Sequence, residues 1–258
     1  MKITEKINRS RYTLKKILTN EWDTLSIPDY SLQEINKIYE NIDISDQYIN
    51  SHGNGFVCNI NLKHKVLESY KLHIIYYKFP DLSPDSTSPK IQKKSLIDNI
   101  NKLYENEYLN NNDSVMIIVN ESISETVQKA IDDYNIELQN QLEVNGLDED
   151  IMNEIKSKDL ELGREFNIKH FKNVQIISID SLTNNLLEHN LVPKHEVIRN
   201  KDDINKILDE CNANILQLPI ILKNDIISKL IRLSPGDLCK ITRNNEKCGI
   251  NYFYRVCK

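Results

Sequence analysis

The sequence has 258 residues, of which 40% are hydrophobic and 28% are charged, and its net charge is −5. This length accommodates one large domain or two small ones with a substantial core. The acidic balance argues against a protein that wraps nucleic acid over its whole surface, so any such contact requires a local patch or a larger complex. The sequence has no apolar run of about 18 residues and no signal-peptide core at residues 1–6, so neither a membrane span nor secretion is expected.

The five cysteines show no disulfide or metal pattern. Their number is odd, and no two are separated by only two residues. We therefore expect reduced, mostly buried thiols in an intracellular compartment. The last three are spaced nine residues apart, which is more typical of paired strands than of a zinc site with its usual close pair of ligands. The cysteines are Cys58, Cys211, Cys239, Cys248 and Cys257.

The first two thirds of the chain alternate between helical and strand patterns. Ser31 and Glu34 have the spacing of a capping box, and we expect Trp22 to pin the crossing of the helices on either side of it. The apolar run at 115–119 is typical of a strand buried on both faces. The alternation predicts an α/β domain over residues 1–174. Its predicted elements are helices at 8–20, 31–39, 93–108 and 124–142, an antiparallel pair of strands at 56–62 and 71–79, and strands at 113–120 and 173–179.

Two segments of this domain differ from the rest. Residues 143–170 are strongly charged and are expected to form a solvated helical excursion or a mobile insertion. The loop at 120–124 joins a buried strand to a helix capped by Ser124, which is where α/β folds usually present functional loops.

Residues 175–258 predict a small α+β module with a terminal β-hairpin. Pro193 prevents a helix from running through the segment, so a helix should end near His189, whose imidazole would interact with the exposed carbonyls. Asn200 is expected to cap a helix that turns Cys211 inward, and Asn224 or Asp225 to cap another. Residues 234–237 have the sequence of a type II turn. Strands are predicted at 238–243 and 250–257.

Catalytic and metal sites receive little support from the sequence. His189 and His195 lie six positions apart across a proline, which is not the spacing of a helical metal-binding pair, although Glu188 or Glu196 could join them. No cysteine lies beside either histidine as a nucleophile would. Five acids could form a nuclease cluster, but such residues are also favoured at helix caps and in loops. They are Asp81, Asp85, Asp113, Glu121 and Glu125.

Basic residues gather on the predicted hairpin, at Lys240, Arg243, Lys247 and Arg255. Such a patch could bind phosphates or an acidic protein surface, or it could simply be a solvated strand face. The sequence of the hairpin leaves both interpretations open.

The same third of the chain carries an ordered series of motifs. They are Glu188-His189-x-Leu191-Val192-Pro193-x-His195, Gln217-Leu218-Pro219, Gly236-Asp237-x-x-Lys240-Ile241-x-Arg243, Gly249 and Tyr254-Arg255. This series resembles the fifth subunit of eukaryotic RNA polymerases, whose C-terminal module is by itself a small polypeptide of the archaeal RNA polymerase. Residues 8–142 resemble the N-terminal jaw of the eukaryotic subunit in the order of their elements. The archaeal polypeptide lacks this jaw, so its presence suggests a eukaryotic or viral source. The abundance of Asn, Ile and Lys is typical of an AT-rich genome and favours a large DNA virus.

The resemblance implies a non-catalytic polymerase subunit without a cofactor, a metal, a small-molecule substrate or a membrane. The implied fold is a jaw-like α/β domain followed by the α+β module. The implied partners are the largest polymerase subunit, other polymerase subunits and downstream double-stranded DNA, in the nucleus of a cell or in the virion or cytoplasmic factory of a virus. The implied DNA-proximal residues are Ser122, Ile123 and Ser124. The implied subunit interface consists of His189, Leu191, Val192, Pro193, His195, Leu218, Pro219, Asp225, Gly236, Asp237, Lys240, Arg243, Gly249, Tyr254 and Arg255.

The sequence departs from the family pattern at several points. Glu121 and Glu125 would oppose DNA at the predicted loop, and Ile226 follows Asp225 where the family has proline. Residues 143–170 exceed what the family needs. Two alternative functions therefore stay open, a free-standing nucleic-acid-binding protein and a nuclease built on the jaw-like domain.

Overall fold

A computed structural model describes residues 1–42, 47–83, 86, 89–162, 166–245 and 249–258. The chain divides into two compact units, the first being Met1–Asp148 with Phe171–Asn184 and the second Glu149–His170 with Asn185–Lys258. This division differs from the predicted boundary at residue 174, because most of the charged segment belongs to the second unit. The assignment of domains to these units stays a prediction. No helix of the described ranges is long and apolar enough to cross a membrane.

The described chain mixes helices and strands throughout. The helices are α1 (Ile3–Ile17), α2 (Leu32–Glu40), α3 (Gln47–His52), α4 (Lys93–Glu105), α5 (Glu125–Asn145), α6 (Glu149–Leu162), α7 (Asp180–Thr183), α8 (Lys201–Glu210) and α9 (Ile226–Leu230). The strands are β1 (Ile60–Lys63), β2 (Lys71–Tyr77), β3 (Ser114–Val119), β4 (Val174–Ser178), β5 (Lys194–Ile198), β6 (Ile220–Ile221), β7 (Leu238–Asn245) and β8 (Gly249–Cys257).

The first unit is built on a four-stranded sheet in the order β1-β2-β3-β4. Strand β1 is antiparallel to β2, as predicted, and the other neighbours are parallel. All six residues of β3 are buried, because helices cover the sheet on both faces. Apolar residues of α4 and α5, such as Ile100 and Ile131, join the core beside Ile117. On the other side, Ser10 of α1 lies 2.8 Å from the hydroxyl of buried Tyr76.

A side chain closes one edge of this sheet. Asn135 of α5 donates from Nδ2 to the carbonyl of Val174, and its Oδ1 accepts the N–H of the same residue, both at 2.8 Å. The amide thus occupies the backbone positions that a further strand would take beside β4.

Helix caps agree with the sequence signals. The predicted capping box of Ser31 and Glu34 is present, and Ser124 accepts the N–H of Val127. Asn200 caps α8, and Asp225 caps α9. These predictions are confirmed because each cap depends on residues within three positions of one another.

One prediction in the first unit is wrong. Residues Asn54–Cys58 form a 3-10 turn instead of the start of a strand. Gly55 lies so close to the β2 backbone that a Cβ there would be 2.7 Å from the carbonyl oxygen of Tyr76. Trp22 is buried, as expected of a core aromatic, and its ring packs against His64 and Tyr70 with centroids 5.2 and 5.1 Å away.

The second unit contains a sheet in the order β5-β7-β8-β6. Strands β5, β7 and β8 are antiparallel neighbours, while β6 is parallel to β8. One apolar cluster includes Ile207 of α8 with Leu238 and Val256, and a second includes Leu233 with Ile241. Strand β5 was not predicted, because its residues show no alternation of buried and exposed positions.

The charged segment is more ordered than the sequence analysis predicts. Residues Glu149–Leu162 form α6, whose Ile151 and Ile155 are only 2% and 9% exposed. The helical part of the prediction is therefore confirmed, but a fully solvated helix is not what the structure contains. Isoleucines four positions apart lie on one face of a helix, so α6 has an apolar side that packs.

Candidate docking module

The run before Pro193 forms a tight turn. A 3-10 turn covers Leu186–Glu188 and is followed by His189. The N–H of Leu191 donates to Nδ1 of His189 at 3.2 Å, and the N–H of Val192 donates to its carbonyl at 2.8 Å. The predicted contact of this imidazole with helix carbonyls is therefore wrong, because the ring accepts a turn N–H instead. The turn leaves the Leu191 side chain 85% exposed.

His195 is held by the proline corner. Its Nδ1 lies 2.7 Å from the carbonyl oxygen of Pro193, and since a carbonyl only accepts, Nδ1 carries the proton. Neutral His195 then has a free acceptor at Nε2. Burial is the main cause that lowers the pKa of His195. The Pro193 carbonyl and Asp225 raise the pKa and so oppose burial, whereas the nearby Arg243 and Arg255 lower it further. The imidazole therefore favours its neutral form more than an exposed histidine does.

One face of the second sheet collects several of the predicted interface residues. His195 lies opposite Ile241, which in turn lies opposite Phe253. Arg243 and Arg255 are each two positions from these residues along their strands, and side chains two positions apart share a face. We call the side chains of His195, Arg243, Phe253 and Arg255 the arginine face.

The third described basic residue of the predicted patch, Lys240, lies on the opposite face. Lys240 is directly across from Tyr254 on one side and from Glu196 on the other. It is one position from Ile241, so its side chain points away from the arginine face. The structure therefore divides the predicted basic patch between two faces.

Two aromatic residues of β8, Tyr252 and Phe253, were missed by the sequence analysis. Phe253 and Tyr252 are 47% and 53% exposed. The guanidinium of Arg243 lies 5.0 Å from the ring centre of Phe253, and the ammonium of Lys240 lies 4.3 Å from that of Tyr252. A cation over an aromatic face is stabilised by the ring quadrupole. The consecutive aromatics at 252–254 and the basic residues of the facing strand are the sequence signal that could have revealed these pairs.

Asp237 is the centre of a buried polar network. Its Oδ2 accepts from the N–H of Ser234 at 2.9 Å and from Nη2 of Arg199 at 2.8 Å, and its Oδ1 accepts from Nε2 of His170 at 2.7 Å. Burial works to raise the pKa of Asp237, but Arg199 and His170 outweigh it and hold the pKa well below its usual range. Gly236, with φ of 98°, allows the predicted turn that presents this carboxylate.

The other predicted interface residues have mixed environments. Leu218 is 7% exposed and belongs to the core, as Asp237 belongs to the buried network. Pro219 is exposed, and its carbonyl accepts the N–H of Val256 at 2.9 Å. Gly249 lies opposite Asn245 with a φ of 73°. The interface residues are therefore not one continuous surface, since two of them face inward.

The predicted DNA-proximal loop lies between β3 and α5 in the first unit. Ser122 and Ser124 are exposed, while Ile123 packs partly against the core. The carboxylate of Glu121 accepts the N–H of Ile91 at 3.0 Å. This acidic side chain is thus engaged by its own unit.

One candidate nuclease acid, Asp113, lies far from Glu121 and Glu125. Asp113 precedes β3 and is buried against His73, whose Nε2 lies 3.0 Å from its Oδ2. Glu121 and Glu125 follow the other end of the same strand. Six residues of strand span about 20 Å, so these carboxylates cannot share a metal ion. Asp81 accepts from the N–H and the hydroxyl of Ser83 at 3.1 and 2.5 Å.

Some residues of the sequence analysis lie outside the described residues, namely Asp85, Lys247 and Cys248. Within the described ranges, no group of three or more histidine, cysteine, aspartate or glutamate side chains is arranged to hold a metal ion.

The described cysteines are free thiols. Burial raises the pKa of Cys58 and Cys239 to about 11 and that of Cys257 to about 12. At neutral pH these thiols stay protonated, and a protonated thiol is a poor nucleophile. Cys211 is exposed, so the prediction that it faces inward is wrong.

The second unit presents arginine and aromatic side chains together on one sheet. Such side chains are enriched at protein interfaces in general. The fold defines the class of this unit, a small α+β module.

Comparison with known proteins identifies the family. The family described as RNA polymerase Rpb5, C-terminal domain, matches residues 184–257. The DNA-directed RNA polymerase subunit Rpo5 of Methanosphaera stadtmanae is 40% identical over 73 residues, which are 28% of this chain and 94% of that protein. Rpo5 of Archaeoglobus fulgidus is 42% identical over 71 residues, covering 28% and 92%, and Rpo5 of Sulfurisphaera tokodaii is 44% identical over 68 residues, covering 26% and 80%. The chain belongs to the family of the fifth RNA polymerase subunit.

Proposed function

We propose that this polymerase subunit is non-catalytic and docks on the largest polymerase subunit through its second unit. The observation that carries the proposal is the exposed arginine face, where Arg243 lies over the half-exposed ring of Phe253 within the region that matches the family. Arginine and aromatic residues are frequent energetic centres of interfaces. Leu191, at 85% exposure, adds a large apolar side chain at the neighbouring corner.

The predicted interface residues then divide by role. His195, Arg243 and Arg255 contact the partner directly, together with the exposed corner at 191–193. Leu218 and Asp237 contribute from inside, since both are buried and hold the strands that present the contact residues. Lys240 and Tyr254 lie on the opposite face and serve a second neighbour of the assembled polymerase.

We also propose that the first unit is the jaw-like domain and that its loop at Ser122-Ile123-Ser124 approaches downstream DNA. The loop precedes the 21-residue α5, and free N–H groups at a helix N-terminus favour a phosphate. Glu121 accepts the N–H of Ile91, which holds its carboxylate against its own unit, whereas Glu125 stays exposed. The AT-rich composition supports a large DNA virus as the source, with the protein in the virion or a viral factory.

Co-expression of the full chain with the largest subunit from the same source tests the docking proposal. We expect Phe253→Ala and Arg243→Ala each to reduce co-purification of the largest subunit. A matched control is Tyr12→Ala, since Tyr12 is 62% exposed and also has a cation over its ring, the Lys16 ammonium at 4.7 Å. Equal recovery with all three variants, or assembly of the core without this chain while it elutes as a monomer, would overturn the proposal.

A further inference from the structure

The first unit contains an open groove that the proposed function does not use. One cleft of about 340 Å³ lies between α1, the segment at 26–31 and strand β1, and its lining includes Arg11, Tyr30, Asn59 and Asn61. A second cleft of about 310 Å³ shares Arg11 and Tyr30 with the first. The two clefts therefore adjoin at these side chains, and we call the first cleft the Arg11 groove.

Arg11 is an unusual residue to find in its wall. The side chain is only 6% exposed, and it pairs with no carboxylate of the described residues. Nη1 donates to the carbonyl of Cys58 at 3.0 Å, and the guanidinium lies 5.1 Å from the ring centre of Tyr30. The Nε–H group has no acceptor in the described part of the chain. A buried cation without an anion is costly, so an anion from outside would stabilise this arrangement.

A second unsatisfied donor lines the same groove. Asn59 accepts the N–H of Tyr76 at Oδ1, at 3.0 Å, but its Nδ2 has no acceptor among the described residues. Arg11 and Asn59 each have an N–H donor without an acceptor. The two residues are neighbours in the structure, because Arg11 donates to the carbonyl of Cys58, which directly precedes Asn59. Buried donors are nearly always satisfied in folded proteins. A negatively charged oxygen acceptor is the one group that would satisfy both requirements.

The open edge of the first sheet runs along this groove. Strand β1 is the outermost strand, and on its outer side the N–H of Asp23 donates to the carbonyl of Lys63 at 2.9 Å. In an antiparallel strand, residues two positions apart turn their backbone groups to the same side. The backbone of Asn61, an exposed residue of the groove, therefore faces outward, where an extended chain can pair with it.

We propose that the Arg11 groove binds an extended peptide segment that carries an aspartate or glutamate. Its backbone pairs with β1 at Asn61, and its carboxylate reaches the buried donors of Arg11 and Asn59 when the side chains that cover them move aside. Asp29, an acid of the second cleft, is paired with Lys15 at 2.7 Å. The acidic side chain of the peptide therefore enters the first cleft, where Arg11 has no anionic partner among the described residues.

Titration of the full-length protein with two capped heptapeptides tests the proposal. One peptide alternates valine with glutamate, and the other alternates valine with glutamine. We expect the glutamate peptide to bind about tenfold tighter, as one charge-assisted hydrogen bond permits, and to shift the Nε–H resonance of Arg11. Equal affinities, or no binding of either peptide at millimolar concentration, would overturn the proposal.

Two variants distinguish recognition by Arg11 from a purely structural role. Asn59→Asp keeps the acceptor for the Tyr76 N–H but places a carboxylate beside Arg11, so we expect a higher thermal midpoint and loss of the glutamate preference. Arg11→Met should abolish the preference for the glutamate peptide. Arg9→Met is the control on the same helix, because Arg9 is exposed and pairs with Glu5, and it should keep the preference. A glutamate preference that survives Asn59→Asp contradicts the proposal.

Discussion

The Nε2 atom of His170 lies 2.7 Å from Oδ1 of Asp237, and both side chains are nearly buried. This pair joins the end of the charged segment to the turn before β7, within the second unit. Arg199 completes the arrangement from the other side of the carboxylate at 2.8 Å. The segment that exceeds the family pattern is thus part of the polar network at the family motif Gly236-Asp237.

Loss of the Asp237 carboxylate should destabilise the protein strongly. Asp237→Asn removes the negative charge that faces the buried guanidinium of Arg199, and breaking a buried pair in this way costs about 3–5 kcal/mol. Urea unfolding of the full chain measures the change in the free energy of unfolding. Asp202→Asn, an exposed position in the first turn of α8, is the control and should change it by less than about 0.5 kcal/mol.

The same carboxylate predicts a pH dependence. The folded-state pKa of Asp237 lies below its usual range. The carboxylate's contribution to the free energy of unfolding is therefore fully present above the unfolded pKa of about 4. This contribution is lost as the pH falls further toward the folded pKa. The stability difference between the unsubstituted chain and Asp237→Asn should therefore shrink as the pH falls below about 4. Unfolding curves at pH 6 and pH 3 measure this difference, and an equal difference at both values would contradict the assignment.

Combined removal of two arginine-face side chains should affect assembly more than folding. His195→Ala with Arg255→Ala removes two polar side chains that are only partly buried, so the folded state should lose little stability. The same double substitution removes two direct contacts from the proposed interface. Binding of the largest subunit should fall by at least about tenfold while the thermal midpoint changes little. Equal loss of binding and stability would show that the two residues are only core residues.

Helix α6 should contribute to stability in spite of its charge. Ile151→Ala removes a side chain that is 2% exposed and should cost about 2–4 kcal/mol, as for other buried isoleucines. Asn153→Ala, an exposed position of the same helix, should be nearly neutral. Thermal or urea unfolding of the two variants compares them directly, and a neutral Ile151→Ala would mean that the helix is dispensable for the fold.

Local signals were the reliable part of the sequence analysis. The caps at Ser31, Ser124, Asn200 and Asp225 were predicted because each depends on hydrogen bonds within a single turn. The buried strand β3 was predicted from its unbroken apolar run. These features follow from propensity and spacing, which the sequence displays directly.

Features that depend on distant residues were not predictable in this way. The Phe56 segment has strand-forming residues, but close packing of Gly55 on Tyr76 determines its turn. Asp237 was expected at an interface, and only the convergence of His170 and Arg199 places it inside. The division of basic residues between two faces required the strand register, which residue spacing alone does not provide.

The side-chain amide of Asn135 makes the two edges of the first sheet differ. At Val174 the outer backbone groups are already bonded to a side chain, so a foreign strand arriving there would have to displace a buried amide first. At the β1 end no such obstacle from the described residues covers Asn61, which is exposed. A foreign strand is therefore expected to add to this sheet more readily beside β1 than beside Val174, and substitution of Asn135 should reduce this difference.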